Sequence, residues 1–417
     1  MKPPSHIPLL DSRRVVLGVT GSIAAYKAVD LASRLTQAGA LVDVILTEAA
    51  QKFVSPLTFR SVTGRPAYTD ADLWGQEAHI LHVGLAEETE LLVIAPATAN
   101  TLAKLASGQA DSLLTISALT VRCPLVVAPA MDTGMFEHPA TQANLETLRQ
   151  RGVYLAGPAE GRMASGLVGL GRMLEPAELL GHIRMALGRG GPLTGRKVVV
   201  TAGGTQEPID PVRAIFNRSS GKQGFALAQA ALDRGAAVQL VSGPTHLETP
   251  VGAERIDVTT AEEMRAAVLA ATGQADALLM AAAVADFRPS KAVPEKIKRG
   301  RGTPEVRLEP TVDILGEVMA QREKSGRPAV VVGFAAESQD LRANARTKLQ
   351  AKGLSLIVAN DITDPNAGFA VDTNRVTLID ASGTLQELPL MSKAEVAEAV
   401  LQRVVRMLGD LGEQHPS

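Results

Sequence analysis

Cysteine is almost missing from this chain of 417 residues: Cys123 stands alone. That excludes an intramolecular disulfide framework and any multi-thiolate zinc site, and fits reducing, cytoplasmic conditions. Aromatic residues amount to only 3%, so base-stacking platforms do not dominate recognition. Neither sign of charge is in excess. A net charge of −2 argues against a general nucleic-acid binder, which needs surplus Lys and Arg on one face. No run approaches the roughly 20 apolar residues of a membrane span, and the opening MKPPSHIPLLDSRR holds no long apolar segment, so no membrane partner is expected. What is present, 46% hydrophobic and 21% charged residues, suffices for two or three ordinary domains with proper cores.

The chain is organised around the stretch from Lys197 to Ala228, KVVVTAGGTQEPIDPVRAIFNRSSGKQGFALA. Lys197–Val200 has buried-strand character and breaks at Ala202-Gly203-Gly204-Thr205, where glycines let a backbone approach a ligand such as a phosphate. A Pro-rich loop then carries Asn217 and ends in Ser219-Ser220-Gly221-Lys222, from which an apolar-periodic helix, Phe225 to Leu232, departs. Hydroxyls and backbone N–H groups at a helix start favour an anion, and Lys222 adds a full charge. It is not a Walker A loop, because the glycine required five residues before Gly221 is Phe216, and it is not GxGxxG. For the glycines alone, a tight strand-to-helix connection explains as much; Asn217, the serines and Lys222 together favour a nucleotide or phosphorylated substrate.

The same design opens the chain. A strand in RRVVLGV leads through Thr20-Gly21-Ser22 into a helix over Ile23–Gln37, and a strand follows over Leu41–Thr47. Such a unit binds ligands beyond the carboxyl ends of its strands. ELLVIAPATAN reads as a strand ending in Pro96, Thr98 and Asn100 before a helix over Thr101–Ala106, and Pro124–Ala128 as a strand ending in PAMDTGMF. The glycine-rich run from Arg151 to Arg172 reads as a mobile flap rather than regular structure. Gly188-Arg189-Gly190-Gly191-Pro192 has linker composition. The expected organisation is α/β, with two Rossmann-like doubly wound domains at 1–187 (flavodoxin-like) and 196–417 (nucleotide-binding), joined by a linker at 188–195.

In the second half, strands are expected at Ala237–Val241 and Ala277–Met280, with Asp286 at a strand's carboxyl end. Lys296, Lys298, Arg299 and Arg301 make a basic run that alone suits a solvated loop, and beside Asp286 suits a triphosphate with Mg²⁺. Lys348 and Lys352, four apart on one helix face, repel unless an anion sits between them. ANDI closes a further strand, and a helix over Lys393–Leu408 ends the fold.

These motifs, in this order, resemble the bifunctional phosphopantothenoylcysteine decarboxylase and phosphopantothenate-cysteine ligase family of coenzyme A biosynthesis, from about Arg13 to Met407. GVTGSIAAYK, a histidine before LVIAPATAN, PAM followed by GMF, and GxGRM resemble the flavin-dependent decarboxylase half; TAGGT, NRSSGKQGFALA, AAAVADF, PEKIK, GFAAES and AND resemble the ligase half.

For the ligase half the resemblance implies that the 4′-phosphopantothenate carboxylate attacks the α-phosphate of CTP and that the cysteine amine then displaces CMP. Lys296 matches the family's essential lysine, whose charge suits a polyphosphate leaving group. Asn217 matches the residue that holds the acyl intermediate. Met280, Ala281, Ala282, Asp286, Val312, Asp313, Ile314, Leu315, Phe334, Lys348 and Lys352 match positions that hold CTP, although Phe334 also suits a core. Mg²⁺ is expected mainly through CTP. For the decarboxylase half the resemblance implies FMN held by Gly21, Ser22, Thr47 and the turn with Pro96, Thr98 and Asn100, with His82 as the active-site histidine; His79 is its competitor and spacing to Pro96 favours His82. It also implies self-assembly, trimeric through decarboxylase domains and dimeric through ligase domains.

Two positions depart from the pattern. The family's substrate-binding asparagine is Asp132 here, and its flap cysteine is Ser165. A hydroxyl is a far weaker acid than a thiol of pKa about 8.5, and an ionised Asp132 repels a carboxylate. The expectation is a preserved fold and FMN pocket with impaired or rerouted decarboxylation, in the limit a ligase with an inactive flavin-binding domain. Two other classes stay open. A nicotinamide oxidoreductase would need Asp43 or Glu48 as its ribose ligand and lacks GxGxxG, and a nucleotide-sensing scaffold would leave the complete ligase motifs unexplained.

Overall fold

The computed structural model describes residues 6–74, 78–162, 166–298, 305–337, 341–361 and 371–414. The chain forms two compact units, Met1–Gly188 and Arg189–Ser417. No described helix is long and apolar enough to cross a membrane.

The first unit grows from strands whose side chains are apolar on both faces. Arg14–Val19, Leu41–Leu46 and Leu91–Ala97 are buried almost from end to end, the pattern of a parallel sheet covered by helices on each side. The sheet runs Ala67–Thr69, Leu41–Leu46, Arg14–Val19, Leu91–Ala97, Leu125–Pro129, Tyr154–Leu155, all parallel. This is the Rossmann strand order, so the flavodoxin-like description applies to the doubly wound layering and not to the order of strands. The order reverses beside Arg14–Val19, and a crevice opens there at the carboxyl ends. One helix shows how sequence punctuates the fold: Ser55 accepts from the Leu57 N–H, Pro56 takes the first helical position, and Gly64 closes helix Pro56–Thr63 at φ +66°.

The run from Arg151 to Arg172 departs from its reading as an irregular flap. After Tyr154–Leu155 it forms a hairpin of Ala159–Arg162 with Val168–Arg172, antiparallel and slipped once in register. Its glycines suit that pairing: a Cβ on Gly169 would lie 2.6 Å from the Thr133 hydroxyl. Small residues are needed because the hairpin lies close against helix Thr133–Glu137.

The second unit repeats the plan and extends it. Its sheet runs Ala253–Asp257, Ala237–Ser242, Lys197–Ala202, Ala277–Met280, Val330–Glu337, Leu356–Asp361, Val376–Asp380, Leu385–Glu387, parallel through the sixth strand and antiparallel beyond. Helices Lys222–Leu232 and Lys393–Gln414 lie against each other, and helices Ala261–Thr272 and Ile314–Ser325 likewise. Two short hairpins, Gln206–Pro208 with Ala214–Phe216 and Phe287–Pro289 with Leu308–Pro310, stand outside the sheet.

Asp276, 6% exposed, fastens the start of the central strands. It accepts from the Lys197 N–H at 2.8 Å, from Arg196 at 3.0 Å and from Arg327 at 2.7 Å. Burial pushes its carboxyl up, and these donors more than offset that, leaving it below the usual carboxylate range. A carboxyl depressed by folding adds stability above its unfolded value near 4, and that stability is lost as the pH falls through the folded value. Asp276→Asn is therefore expected to lower the unfolding free energy by about 1–2 kcal/mol at pH 7. In urea melts the difference from the parent chain should shrink below about pH 4.

Candidate functional sites

In the first unit the turns after three neighbouring strands meet. Thr20, buried at the end of Arg14–Val19, donates to the Pro96 carbonyl at 2.7 Å and accepts from the Thr98 N–H at 3.2 Å, joining two of the expected flavin-binding turns. Thr98 also caps helix Ala99–Ser107. Thr47 accepts from the Ala50 N–H and lies beside the Val19 carbonyl. Gly21 is required by proximity, since a Cβ there would sit 2.4 Å from that of Ala49. Ser22 turns the chain into helix Ala25–Gln37, whose N-terminal residue Ala24 offers no side-chain cap. Asn100 is exposed on the first turn of its helix. The structure thus gathers Gly21, Ser22, Thr47, Pro96 and Thr98 on neighbouring turns at the carboxyl ends of the strands.

His82 lies on helix Ala78–Glu88, and its Nδ1 is buried with no hydrogen-bond partner among the described residues. An orphaned ring nitrogen of this kind suits a polar group arriving from outside the protein. The side chain of His79 and all of Ser165 lie outside the described residues. Asp132 caps helix Thr133–Glu137, with Oδ1 accepting from the Gly134 N–H at 3.1 Å.

In the second unit a cavity of about 540 Å³ opens at the carboxyl ends of Ala277–Met280 and Val330–Glu337. Asn217, Met280, Ala281, Ala282, Asp286, Val312, Asp313, Ile314, Leu315, Phe334, Lys348 and Lys352 all line it, so this constellation is gathered in space. Its walls are fixed by strand-end hydrogen bonds. The Thr201 hydroxyl accepts from Ala282 N–H, the Thr205 hydroxyl accepts from Ala285 N–H, and the Asn217 amide donates to the Val284 carbonyl at 2.9 Å. Asp286 lies past the strand end, in the loop before Phe287–Pro289, and its carbonyl accepts from Thr311 N–H.

Lys348 and Lys352 stay one helical turn apart, the Lys352 N–H donating to the Lys348 carbonyl at 3.0 Å, and both line the cavity; Lys352 pairs with Asp313, while Lys348 donates to the Phe334 carbonyl at 3.4 Å. Asp313 caps helix Ile314–Ser325; burial raises its carboxyl, and Lys352, the Gly316 N–H and Lys348 together bring it below the usual range. Two other expectations meet a different arrangement. The glycines of the Ala202–Thr205 turn serve contact between loops: a Cβ on Gly204 would lie 2.6 Å from the Asn217 carbonyl, and one on Gly203 would lie 3.0 Å from that of Gly243. Lys296 is exposed on a loop that does not line the cavity. That loop is anchored at Asp210, which accepts from the Ile297 N–H at 3.2 Å and from the Val212 and Arg213 N–H groups at 2.8 Å. Arg299 and Arg301 lie outside the described residues.

Gln223, Asn360 and Lys393, to which sequence reasoning gave no role, line the same cavity; the first two stand within the quoted stretches NRSSGKQGFALA and AND. Lys393 opens helix Lys393–Gln414 and is 6% exposed. Burial and nearby Lys222, against Asp372, bring its ammonium down to about 8. The signal was its position: a cation at a helix N-terminus opposes the helix dipole and so calls for an explanation.

Two family descriptions match the chain, Flavoprotein over residues 5–188 and DNA/pantothenate metabolism flavoprotein C-terminal domain over 193–408. The chain is 45% identical to the Coenzyme A biosynthesis bifunctional protein CoaBC of Bacillus subtilis (strain 168) over 409 residues, covering 97% of this chain and 100% of that protein. It is 44% identical to CoaBC of Vibrio cholerae serotype O1 over 399 residues, covering 95% and 98%. A crystal structure of the C-terminal domain of a CoaBC aligns with 53% of this chain and 99% of its own, at 38% identity and a TM-score of 0.45.

A lysine whose ammonium is depressed by folding costs stability below its folded value, and the cost fades as the pH rises from there toward its ordinary value near 10.4. Lys393→Met is thus expected to raise the melting midpoint of the second unit by about 3 °C at pH 7. The gain should diminish between pH 8 and 10 when melts are followed by circular dichroism.

Proposed function

This chain belongs to the family of bifunctional coenzyme A biosynthesis proteins, and from that membership we propose a division of labour between its two units. The unit after the linker at 188–195 joins 4′-phosphopantothenate to cysteine at the expense of CTP. The unit before it decarboxylates the product to 4′-phosphopantetheine with FMN. The observation that carries this reading is the cavity of the second unit, where Asn217, Asp286, Lys348 and Lys352 converge with a serine-rich helix start.

A nucleoside triphosphate suits that cavity. Backbone N–H groups at the start of helix Lys222–Leu232 and the charge of Lys222 favour phosphate oxygens. The 4′-phosphopantothenate carboxylate attacks the α-phosphorus of CTP, pyrophosphate leaves, and an acyl-cytidylate results; the cysteine amine then attacks the acyl carbon, and CMP leaves. Asn217, held by the Val284 carbonyl, is positioned to grip the acyl intermediate. The family resemblance assigns Lys296 to the charge of the leaving pyrophosphate; it stands outside the cavity lining, on the loop anchored at Asp210. Mg²⁺ enters this reading mainly through the phosphates of CTP.

The residues of the first crevice fit a flat, phosphate-bearing cofactor: Gly21 leaves room, the start of helix Ala25–Gln37 suits a phosphate, and the buried His82 nitrogen lacks a partner among the described residues. When bound, FMN supplies a two-electron acceptor for the cysteinyl thiol, which makes loss of carbon dioxide feasible. Asp132 presents carboxylate oxygens where an asparagine would add an amide donor, and it therefore grips a substrate carboxylate poorly. Ser165 returns a proton poorly for lack of acidity. We infer that this half turns over slowly. Exposed Val212, Phe216, Phe287 and Leu308 on the two outlying hairpins suit a dimer of second units, and exposed Ile23, Tyr26, Phe53 and Leu57 suit assembly of first units, the trimer that the family resemblance implies. A cytoplasmic location accords with these substrates.

Mass spectrometry of products formed from CTP, 4′-phosphopantothenate and cysteine tests the whole reading. Pyrophosphate release that needs CTP and 4′-phosphopantothenate is expected, and its absence would overturn it. Lys296→Gln should lower acyl-cytidylate formation by about 100-fold or more; unchanged formation would remove Lys296 from the mechanism. Decarboxylation of supplied 4′-phosphopantothenoylcysteine should be slow in the parent chain and faster in the Ser165→Cys, Asp132→Asn double variant. No gain in that variant would contradict the impairment.

A further inference from the structure

Resting on the ligase reading, we propose that Asp210 is the positioning residue of the first chemical step. It sets where Lys296 stands when the 4′-phosphopantothenate carboxylate attacks CTP, and it acts through that lysine alone.

The described residues 291–298 form irregular backbone between the hairpin strands Phe287–Pro289 and Leu308–Pro310. Three hydrogen bonds fasten them, all to the turn at 209–213. The Val293 N–H donates to the Ile209 carbonyl at 3.0 Å, the Ile297 N–H to Asp210 Oδ2 at 3.2 Å, and Arg213 Nη2 to the Ile297 carbonyl at 3.4 Å. Both polar groups of Ile297 are thereby held, which fixes the backbone beside Lys296 and leaves the lysine side chain exposed.

Asp210 divides its two oxygens between two tasks. Oδ1 accepts from the Val212 and Arg213 N–H groups, each at 2.8 Å, and so closes its own turn. Oδ2 accepts from the Ile297 N–H and from Arg213 Nη1, both at 3.2 Å. The side chain is wholly shielded from solvent. Burial raises its carboxyl, and the N–H groups of Val212, Ile297 and Arg213 more than offset that, leaving it ionised and below the usual range. A turn of this kind needs only one side-chain oxygen, which asparagine or serine also supplies. A shielded carboxylate is costly unless both oxygens meet donors, and here the second oxygen is committed to the loop of Lys296.

The turn is itself a firm platform. It joins the hairpin strands Gln206–Pro208 and Ala214–Phe216, and the hairpin is tied to the body of the unit at its other end. There Glu207, 3% exposed, accepts from the Ala261 N–H at 2.8 Å, and the Gln206 N–H donates to the Thr259 carbonyl at 2.7 Å. Asn217 follows directly on the same hairpin and is held at the Val284 carbonyl. One element therefore carries the residue proposed for the acyl intermediate and, at its tip, fixes the loop proposed for the leaving pyrophosphate. Asp210 is the side chain through which the tip holds that loop.

Asp210→Asn separates the two tasks. Its amide oxygen can keep the turn, whereas its nitrogen then faces the Ile297 N–H and the Arg213 guanidinium, donor against donor. Single turnovers of the full chain with CTP and 4′-phosphopantothenate, without cysteine, read the first step as pyrophosphate release. Asp210→Asn should slow it about tenfold or more, the expected effect of a misplaced catalytic group. In the Lys296→Gln background the same substitution should change the rate by less than about twofold, because the lysine it positions is gone. Ile297→Pro, which deletes the loop's N–H and leaves Asp210 whole, should slow the step comparably, and it serves as the test should Asp210→Asn fail to fold in circular dichroism melts. A rate within about twofold of the parent in either folded single variant overturns the assignment, as does a double variant whose loss is the product of the two single losses. Absence of CTP-dependent pyrophosphate release in the parent chain, or an unimpaired Lys296→Gln, would overturn the ligase reading itself. That result is distinct from an impaired Lys296→Gln beside an unimpaired Asp210→Asn.

Discussion

Parallel strands covered on both faces favour apolar side chains along their length, and the turns beyond their carboxyl ends carry both candidate sites. Val198, Val199 and Val200 are fully buried, and the first hydroxyls on this path, Thr201 and Thr205, are at once engaged by backbone N–H groups of the neighbouring strand's extension. Thr20 performs the same service in the first unit, tying its own turn to that of Pro96 and Thr98. Each sheet reverses its strand order beside its first strand, so the turns diverge there and a crevice opens.

That constraint explains what could be read from residues in a row. Buried strands announce themselves as unbroken apolar runs, so Ala277–Met280 was expected with its observed ends and Lys197–Ala202 with its observed start. Asp286 was legible as a polar residue at a strand's carboxyl end, whereas Asn217 was read from the loop it shares with two serines and Lys222 and from the family resemblance. Short-range chemistry was harder. The hairpin Ala159–Arg162 with Val168–Arg172 was obscured by glycines, which signal irregular backbone although here they permit close approach to Thr133. The lysine pair kept its one-turn spacing, and the anion beside it is the protein's own Asp313, which the residues in a row did not announce.

Lys393 shows the remaining limit. It stands 170 residues from Gln223, and only the docking of the last helix on Lys222–Leu232 brings them together. No periodicity reports such a meeting. Its place at a helix start was visible as a local anomaly, whereas the neighbouring Lys222 was not, and burial together with that neighbour brings its ammonium down to about 8. Its burial and its proximity to Lys222 both work against folding, the usual sign of a residue retained for chemistry.

The pairing of Asp313 with Lys352 has a consequence for how a polyanion enters. Asp313 is already committed as the cap of helix Ile314–Ser325, so it can release the lysine without losing its backbone partner Gly316. Lys352 is held at the cavity by an anion that belongs to the protein, and under the proposed ligase reading that carboxylate stands in for a phosphate. An incoming phosphate has only to outcompete one carboxylate; it does not have to order a wandering side chain. Exchange of one counter-anion for another makes capture sensitive to ionic strength while leaving the scaffold unmoved.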